Sequence, residues 1–179
     1  MKDRWRRLSS EIVHDAGIFQ LRRDKYTHMG RPTHPFYVLE TRTWINVVPI
    51  TVGGEVVLVR QYRHGIGEVT LEVPGGVVDP DEEPSAAAVR ELLEETGYGG
   101  DPPVLIGNVS SNPAILTNRT HSYLISNLRR VAEPSPDEHE DLLVELVPEN
   151  EIPSLIESGA IHHSLSVLAL SLYLLRRRS

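Results

Sequence analysis

Between Gly75 and Tyr98 the chain reads GGVVDPDEEPSAAAVRELLEETGY, the stretch that most restricts how it can fold. Glu82 and Glu83 beside Pro84 mark a helix start, since proline is tolerated in the first turn and acids suit the positive end of the helix dipole. Gly97 supplies a left-handed stop. At ~100° per residue, Glu91, Glu94 and Glu95 share an arc of about 100° near the end of this helix, and Ala86, Val89 and Leu93 fall opposite. The expectation is a helix that buries its apolar stripe and holds three acids out across a cleft.

That placement is locally unfavourable, because like charges four residues apart repel and acids near a helix C-terminus oppose its dipole. A hard divalent cation would compensate, since Mg²⁺ takes oxygen ligands and binds one or two carboxylates plus substrate phosphates. A solvated acidic face, with Arg90 paired to Glu94, is the other reading of the same residues.

Around this helix, Trp44 to Val52 and Glu55 to Arg60 read as paired strands flanking Gly53-Gly54, a pair that suits the positive φ of a hairpin turn. Val69 to Val73 reads as a strand that runs into Pro74-Gly75-Gly76 and the turn Asp79-Pro80-Asp81. Strands are expected near 104–108, 121–125 and 142–147, and helices near 149–157 and 163–175. The fold class is α/β in the α+β sense, with antiparallel hairpins rather than repeated βαβ units. Residues 1–42 carry alternating segments, 18–22 and 36–40, that predict an antiparallel N-terminal sheet extension, leaving 43–179 as the main domain.

Composition narrows the function classes. A net charge of -7 leaves no excess of Lys and Arg to bind a nucleic-acid backbone. The apolar run Val167 to Leu175 is far shorter than the roughly 20 residues a membrane-spanning helix needs, and Arg176, Arg177 and Arg178 after it read as a solvated helix end. With no cysteine and no apolar stretch in MKDRWRRLSS, the expected location is the cytoplasm.

The full spacing says more: Gly76, five residues, Glu82, seven residues, then Arg90-Glu91-Leu92-Leu93-Glu94-Glu95-Thr96-Gly97-Tyr98. This resembles the Nudix box at each defined position, with Tyr98 standing where the pattern asks for a bulky aliphatic residue. The resemblance implies a magnesium-dependent hydrolase of nucleoside diphosphates linked to another group, built as an α/β/α sandwich around a mixed sheet. By it, the Gly75 carbonyl, Glu91 and Glu95 would hold Mg²⁺, or Mn²⁺ in its place. Glu94 would be a further ligand or an orienting group, Arg90 would hold the glutamates, and Gly76, Glu82 and Gly97 would support the loop and helix.

Pro113, fifteen residues after Tyr98, resembles a proline that marks the ADP-ribose pyrophosphatase branch. Asp137-Glu138-His139-Glu140-Asp141 resembles the acidic loop that delivers the catalytic base there, with Glu138 as base and Glu140 as a metal-linked acid. A base from the box glutamates is the mechanistic rival, and a solvated charge run is the structural one. Arg63 matches an arginine used near the phosphates, a task suited to its planar fork. Trp44 and Phe19 are candidates for stacking on the base, or core residues. The resemblance implies conversion of ADP-ribose to AMP and ribose 5-phosphate by a homodimer that exchanges its N-terminal segment. A GDP-mannose or broad nucleotide-sugar pyrophosphatase is the alternative, and a non-catalytic nucleotide-sugar sensor the reading from a different class.

Overall fold

The computed structural model describes residues 1–136 and 141–177, which form two compact units. The first comprises Met1–Arg42 with Ser110–Arg119, the second Thr43–Val109 with the chain from Thr120 onward.

In the first unit, β1 (Trp5–Asp15), β2 (Gln20–His28), β3 (Arg31–Pro32) and β4 (Phe36–Glu40) make an antiparallel sheet in which β2 pairs with all three others. Gly17, at a φ of 79°, turns β1 into β2, and its N–H donates to the Asp15 carboxylate at 2.9 Å. Asp24 is fully buried on β2, where it accepts from the Ser10 hydroxyl and from both Nε and Nη2 of Arg22. A buried carboxylate so partnered stays ionised: burial pushes its pKa up, but these donors hold it below its usual value. Strand β1 was not foreseen as one continuous element. Its eleven residues are all exposed, so it lacks the alternating burial that makes a strand legible.

The second unit is built on a mixed seven-stranded sheet of β5 (Trp44–Thr51), β6 (Glu55–Arg63), β7 (Glu68–Glu72), β8 (Tyr98–Gly99), β9 (Val104–Ser110), β10 (Arg119–Arg130) and β11 (Leu142–Pro148). The order β11-β6-β5-β10-β8 is antiparallel except where β10 runs parallel to β5. Helix α1 (Pro84–Thr96) packs against one face. Helices α2 (Ile152–Glu157) and α3 (Ser164–Arg177) pack against the other. Successive side chains of a strand point to opposite faces, and β5 shows it. Ile45 and Val47 join Ala87, Ala88 and Leu92 of α1, whereas Val48 joins Ala169 and Leu170 of α3. This sandwich and the separate antiparallel sheet match the expected architecture. Among the described residues no helix is long and apolar enough to cross a membrane.

Local signals explain the elements that were foreseen. Of the Gly53-Gly54 pair only Gly54 takes a positive φ, 78°, while the Thr51 hydroxyl accepts from the N–H groups of Gly53 and Glu55. Helix α1 starts at Pro84 and stops at Gly97, whose φ is 74° and whose N–H bonds the Leu93 carbonyl at 2.8 Å. Arg177 is not a purely solvated cation: it pairs with Glu149, which also accepts from the Tyr173 hydroxyl.

The buried face of α1 is the reverse of the expected one. Ala88, Leu92 and Glu95, spaced as one helical stripe, are buried, whereas Ala86 is exposed and Val89 and Leu93 are 45% and 38% exposed. The expectation treated the glutamates as markers of solvent. Glu95 instead finds a backbone donor inside the fold, so the helix turns its acidic edge toward the sheet and the second apolar row outward. Leu92, 1% exposed, should therefore cost about 2–5 kcal/mol when cut to Ala, against about 0.5 kcal/mol for the surface change Leu93→Ala. Urea melts of the two variants check this, and the opposite order would restore the original face.

Candidate active site

After β7 the chain turns back along β5 as an extra extended segment. The Ile45 N–H donates to the Gly76 carbonyl at 2.9 Å and the Val47 N–H to the Pro74 carbonyl at 2.8 Å, with a bridge between Trp44 and Val77. Gly75, between those bonded residues, presents its edge away from β5, and its N–H donates to Oε2 of Glu95 at 3.0 Å. In extended backbone the N–H and C=O of one residue point the same way, so the Gly75 carbonyl lies on the α1 side as well. Both positions are crowded. A Cβ at Gly75 would overlap the Ile45 carbonyl, and one at Gly76 the Glu91 carboxylate.

Arg90 organises the helix end. Its Nε and Nη2 donate to the two oxygens of Glu82 at 3.0 and 2.9 Å, Nη1 donates to Glu91 and Glu94 at 3.0 Å each, and Nη2 also reaches the Val77 carbonyl at 3.3 Å. The planar guanidinium thus spreads its donors over three carboxylates and the loop. Hydrogen bonds to Glu82, and then the charges and hydrogen bonds of Glu91 and Glu94, outweigh burial and raise its pKa further above the ordinary value. Glu82 is lowered chiefly by the same bond and also accepts from the Asp79 N–H at 3.1 Å. The Arg90–Glu94 pair foreseen in the solvated-face reading is present at 3.0 Å, but as one arm of this hub.

A cavity of about 250 Å³ opens beside these groups, lined by Trp44, Gln61, Arg63, Gly75, Gly76, Val77, Asp79, Arg90 and Glu91. Arg63, at the end of β6, reaches it with its guanidinium clamped: Nε and Nη2 donate to the two oxygens of Glu72 at 2.8 and 2.7 Å. Glu72 is 1% exposed and also accepts from the Thr70 hydroxyl and from Nδ1 of His163, 2.9 Å away. Burial pushes its pKa up, but Arg63, His163 and Thr70 more than offset that and hold it at about 2.

The structure therefore gathers Trp44, Arg63, Gly75, Gly76, Arg90 and Glu91 around one cavity, with Glu82, Glu94, Glu95 and Gly97 on the α1 segment beside it. Phe19 and Pro113 belong to the first unit and do not line it. Glu138 and Glu140 lie outside the described residues. Glu72 and His163 were not foreseen. The signal for Glu72 was an acid between the apolar Leu71 and Val73, since a buried carboxylate needs a partner; His163 is 91 residues away and gave none.

Glu91, Glu95 and the Gly75 carbonyl are hard oxygen donors, and two carboxylates beside a backbone carbonyl suit Mg²⁺, which keeps its other positions for phosphate and water. Among the described residues no group of three or more acidic, His or Cys side chains is placed to hold a metal ion; the donor set named here has two carboxylates and a backbone carbonyl.

Comparison with known proteins places the chain in a family. The NUDIX domain family matches residues 41–166. An ADP-ribose pyrophosphatase of Mycobacterium tuberculosis is 30% identical over 162 residues, 89% of this chain and 78% of that protein. An ADP-sugar pyrophosphatase of Mus musculus is 31% identical over 166 residues, 78% of this chain and 75% of that one. A solved structure described as an ADP compounds hydrolase superposes with a TM-score of 0.85 at 24% identity, covering 95% of this chain and 92% of the other, which shows a shared fold.

The buried Glu72 makes stability pH-dependent. Its pKa is depressed on folding, so its contribution is complete above the ordinary 4.5 and is lost as pH falls toward about 2. A shift of that size corresponds to about 3 kcal/mol. Denaturant unfolding at successive pH values between 4.5 and 2 should show the wild type losing more stability than Glu72→Gln. Equal slopes would mean that Glu72 is not held as a paired carboxylate.

Proposed function

The chain belongs to the Nudix hydrolase family, in its ADP-ribose and ADP-sugar pyrophosphatase branch, and from that premise we propose that it hydrolyses ADP-ribose to AMP and ribose 5-phosphate. The observation that carries this reading is the Gly75–Glu95 bond beside the Arg90 hub, which sets the acidic edge of α1 against a cavity that Arg63 also lines. Water adds to one phosphorus, the bridging P–O bond breaks, and the two monophosphates leave.

In this reading the Gly75 carbonyl, Glu91 and Glu95 hold Mg²⁺ or Mn²⁺, with Glu94 as a further ligand or orienting group. The bound metal would neutralise the diphosphate, polarise phosphorus and orient water. Arg90 keeps the mutually repelling carboxylates in register, and Arg63 binds the diphosphate through its planar fork. Trp44 offers a ring for stacking on the base, and Phe19 and Pro113 are further proposed substrate contacts. Glu138 is the proposed base and Glu140 a metal-linked acid, both on the resemblance of the acidic loop. We place the enzyme in the cytoplasm and propose a homodimer joined through the N-terminal segment. Strand β1 supports the dimer, since it exposes Trp5, Leu8, Ile12 and Val13 along one element, more apolar surface than an isolated strand ordinarily leaves in water.

A phosphate-release assay coupled to phosphatase, run with Mg²⁺ over ADP-ribose, ADP-glucose, GDP-mannose, UDP-glucose and nucleoside triphosphates, tests the substrate. Preference for ADP-ribose with AMP as product supports the reading, equal turnover of several nucleotide sugars replaces it with a broader specificity, and no turnover overturns it. Glu95→Gln can still accept the Gly75 N–H, so it should fold while losing turnover by at least about a hundredfold. Full activity in that variant would remove Glu95 from the metal site, and an unchanged rate in Glu138→Gln would move the base elsewhere.

A further inference from the structure

Glu72 is an expensive way to join β7 to α3. A carboxylate removed from water costs several kcal/mol that ion pairing only partly offsets, and apolar residues of similar volume would pack the same gap more favourably. Yet it joins two different elements. It takes the Nε and Nη2 edge of Arg63 at 2.8 and 2.7 Å. Oε2, which accepts from Nη2, also takes Nδ1 of His163 at 2.9 Å, just before the start of α3. His163 is itself braced by Ser166, whose hydroxyl oxygen lies 2.9 Å from the same Nδ1 and accepts the Val73 N–H at 3.2 Å. Because Glu72 is ionised, Nδ1 carries the proton in this contact.

Arg63 has a specific need for such a clamp. It shares its cavity with the Glu91 carboxylate and with Asp79, and a long flexible cation at a strand end would otherwise be free to swing onto the acids assigned to the metal. The bidentate bond to Glu72 fixes the guanidinium plane and supplies its counter-charge from behind. We infer that Glu72 and His163 are positioning residues for the reaction, a buried relay from α3 through β7 that holds Arg63 toward the diphosphate and off the metal carboxylates. This rests on the pyrophosphatase reading, in which Arg63 meets the diphosphate.

The test is a double-mutant cycle on kcat/KM for ADP-ribose with Mg²⁺, using His163→Leu, Arg63→Ala and the double variant, with thermal melts as a fold control. His163→Leu should lower kcat/KM by about tenfold to a hundredfold, the usual consequence of removing a group that orients an active residue. In the Arg63→Ala background the same change should alter kcat/KM by less than about twofold, because there is no guanidinium left to position. His163→Asn, which keeps an N–H donor near the place of Nδ1, should recover most of the loss, and Glu72→Gln should behave as His163→Leu does. A purely structural role would lower the melting temperature and multiply with Arg63→Ala. Multiplicative losses, no loss in His163→Leu, or no recovery in His163→Asn overturns the relay while the pyrophosphatase reading stands. Absence of turnover by the wild type overturns both.

Discussion

Three carboxylates within five residues at the end of one helix repel each other and oppose the helix dipole, and the second unit is organised around Arg90, which makes that arrangement stable. Its donors bind Glu82 from the preceding loop and Glu91 and Glu94 from the helix, so the charge that orders the acids also fixes the loop leading into them. Glu95 takes the one backbone donor that the Gly75 edge offers. The two glycines follow from close approach on two sides, since a Cβ at Gly75 would meet the β5 backbone at Ile45 and one at Gly76 the Glu91 carboxylate of the helix. Sequence spacing in this segment is therefore a record of contacts rather than of helix propensity.

A second cation is treated in the opposite way. Arg90 is spread over the acids of the helix and the loop before it, whereas Arg63 is held in a bidentate bond by the buried Glu72. The two guanidinium groups border one cavity but are prevented from exchanging roles, because each has its own carboxylates at hydrogen-bonding distance. Arg90 is thus engaged with Glu91 and Glu94 on the helix, whereas the Glu72 clamp holds Arg63 by a carboxylate outside that helix.

What could be read from the sequence followed the range of the interactions. Helix α1, bounded by Pro84 and Gly97, and the β5–β6 hairpin at Gly54 are set by neighbours in the chain, and their positions were legible. The burial of α1 was not, because counting Glu95 as polar assigned it to solvent, and only the distant Gly75 N–H shows otherwise. Strand β1 was missed for lack of any burial alternation. The Glu72–His163 contact joins residues 91 positions apart, and nothing local in the Ile161-His162-His163-Ser164 segment distinguishes a buried partner from an exposed turn histidine.

The same chemistry explains why reaction class is easier to read than substrate. Carboxylates that suit a hard cation and guanidinium groups that suit phosphate recognise the diphosphate, a part shared by every nucleotide sugar. Among the described residues the aromatic side chain lining the cavity is Trp44, and stacking on a ring is tolerant of base identity because every base has a π-face. Discrimination among bases needs hydrogen bonds to their edges, where a missing or misplaced partner leaves a buried polar group unsatisfied. The motif that assigns the chain to its family is defined by its glycines, its arginine and its glutamates, which suit a cation and phosphate. Selectivity among nucleotide sugars must therefore come from residues outside the box, and it can change without altering the carboxylates, the two arginines or the glycines that hold them.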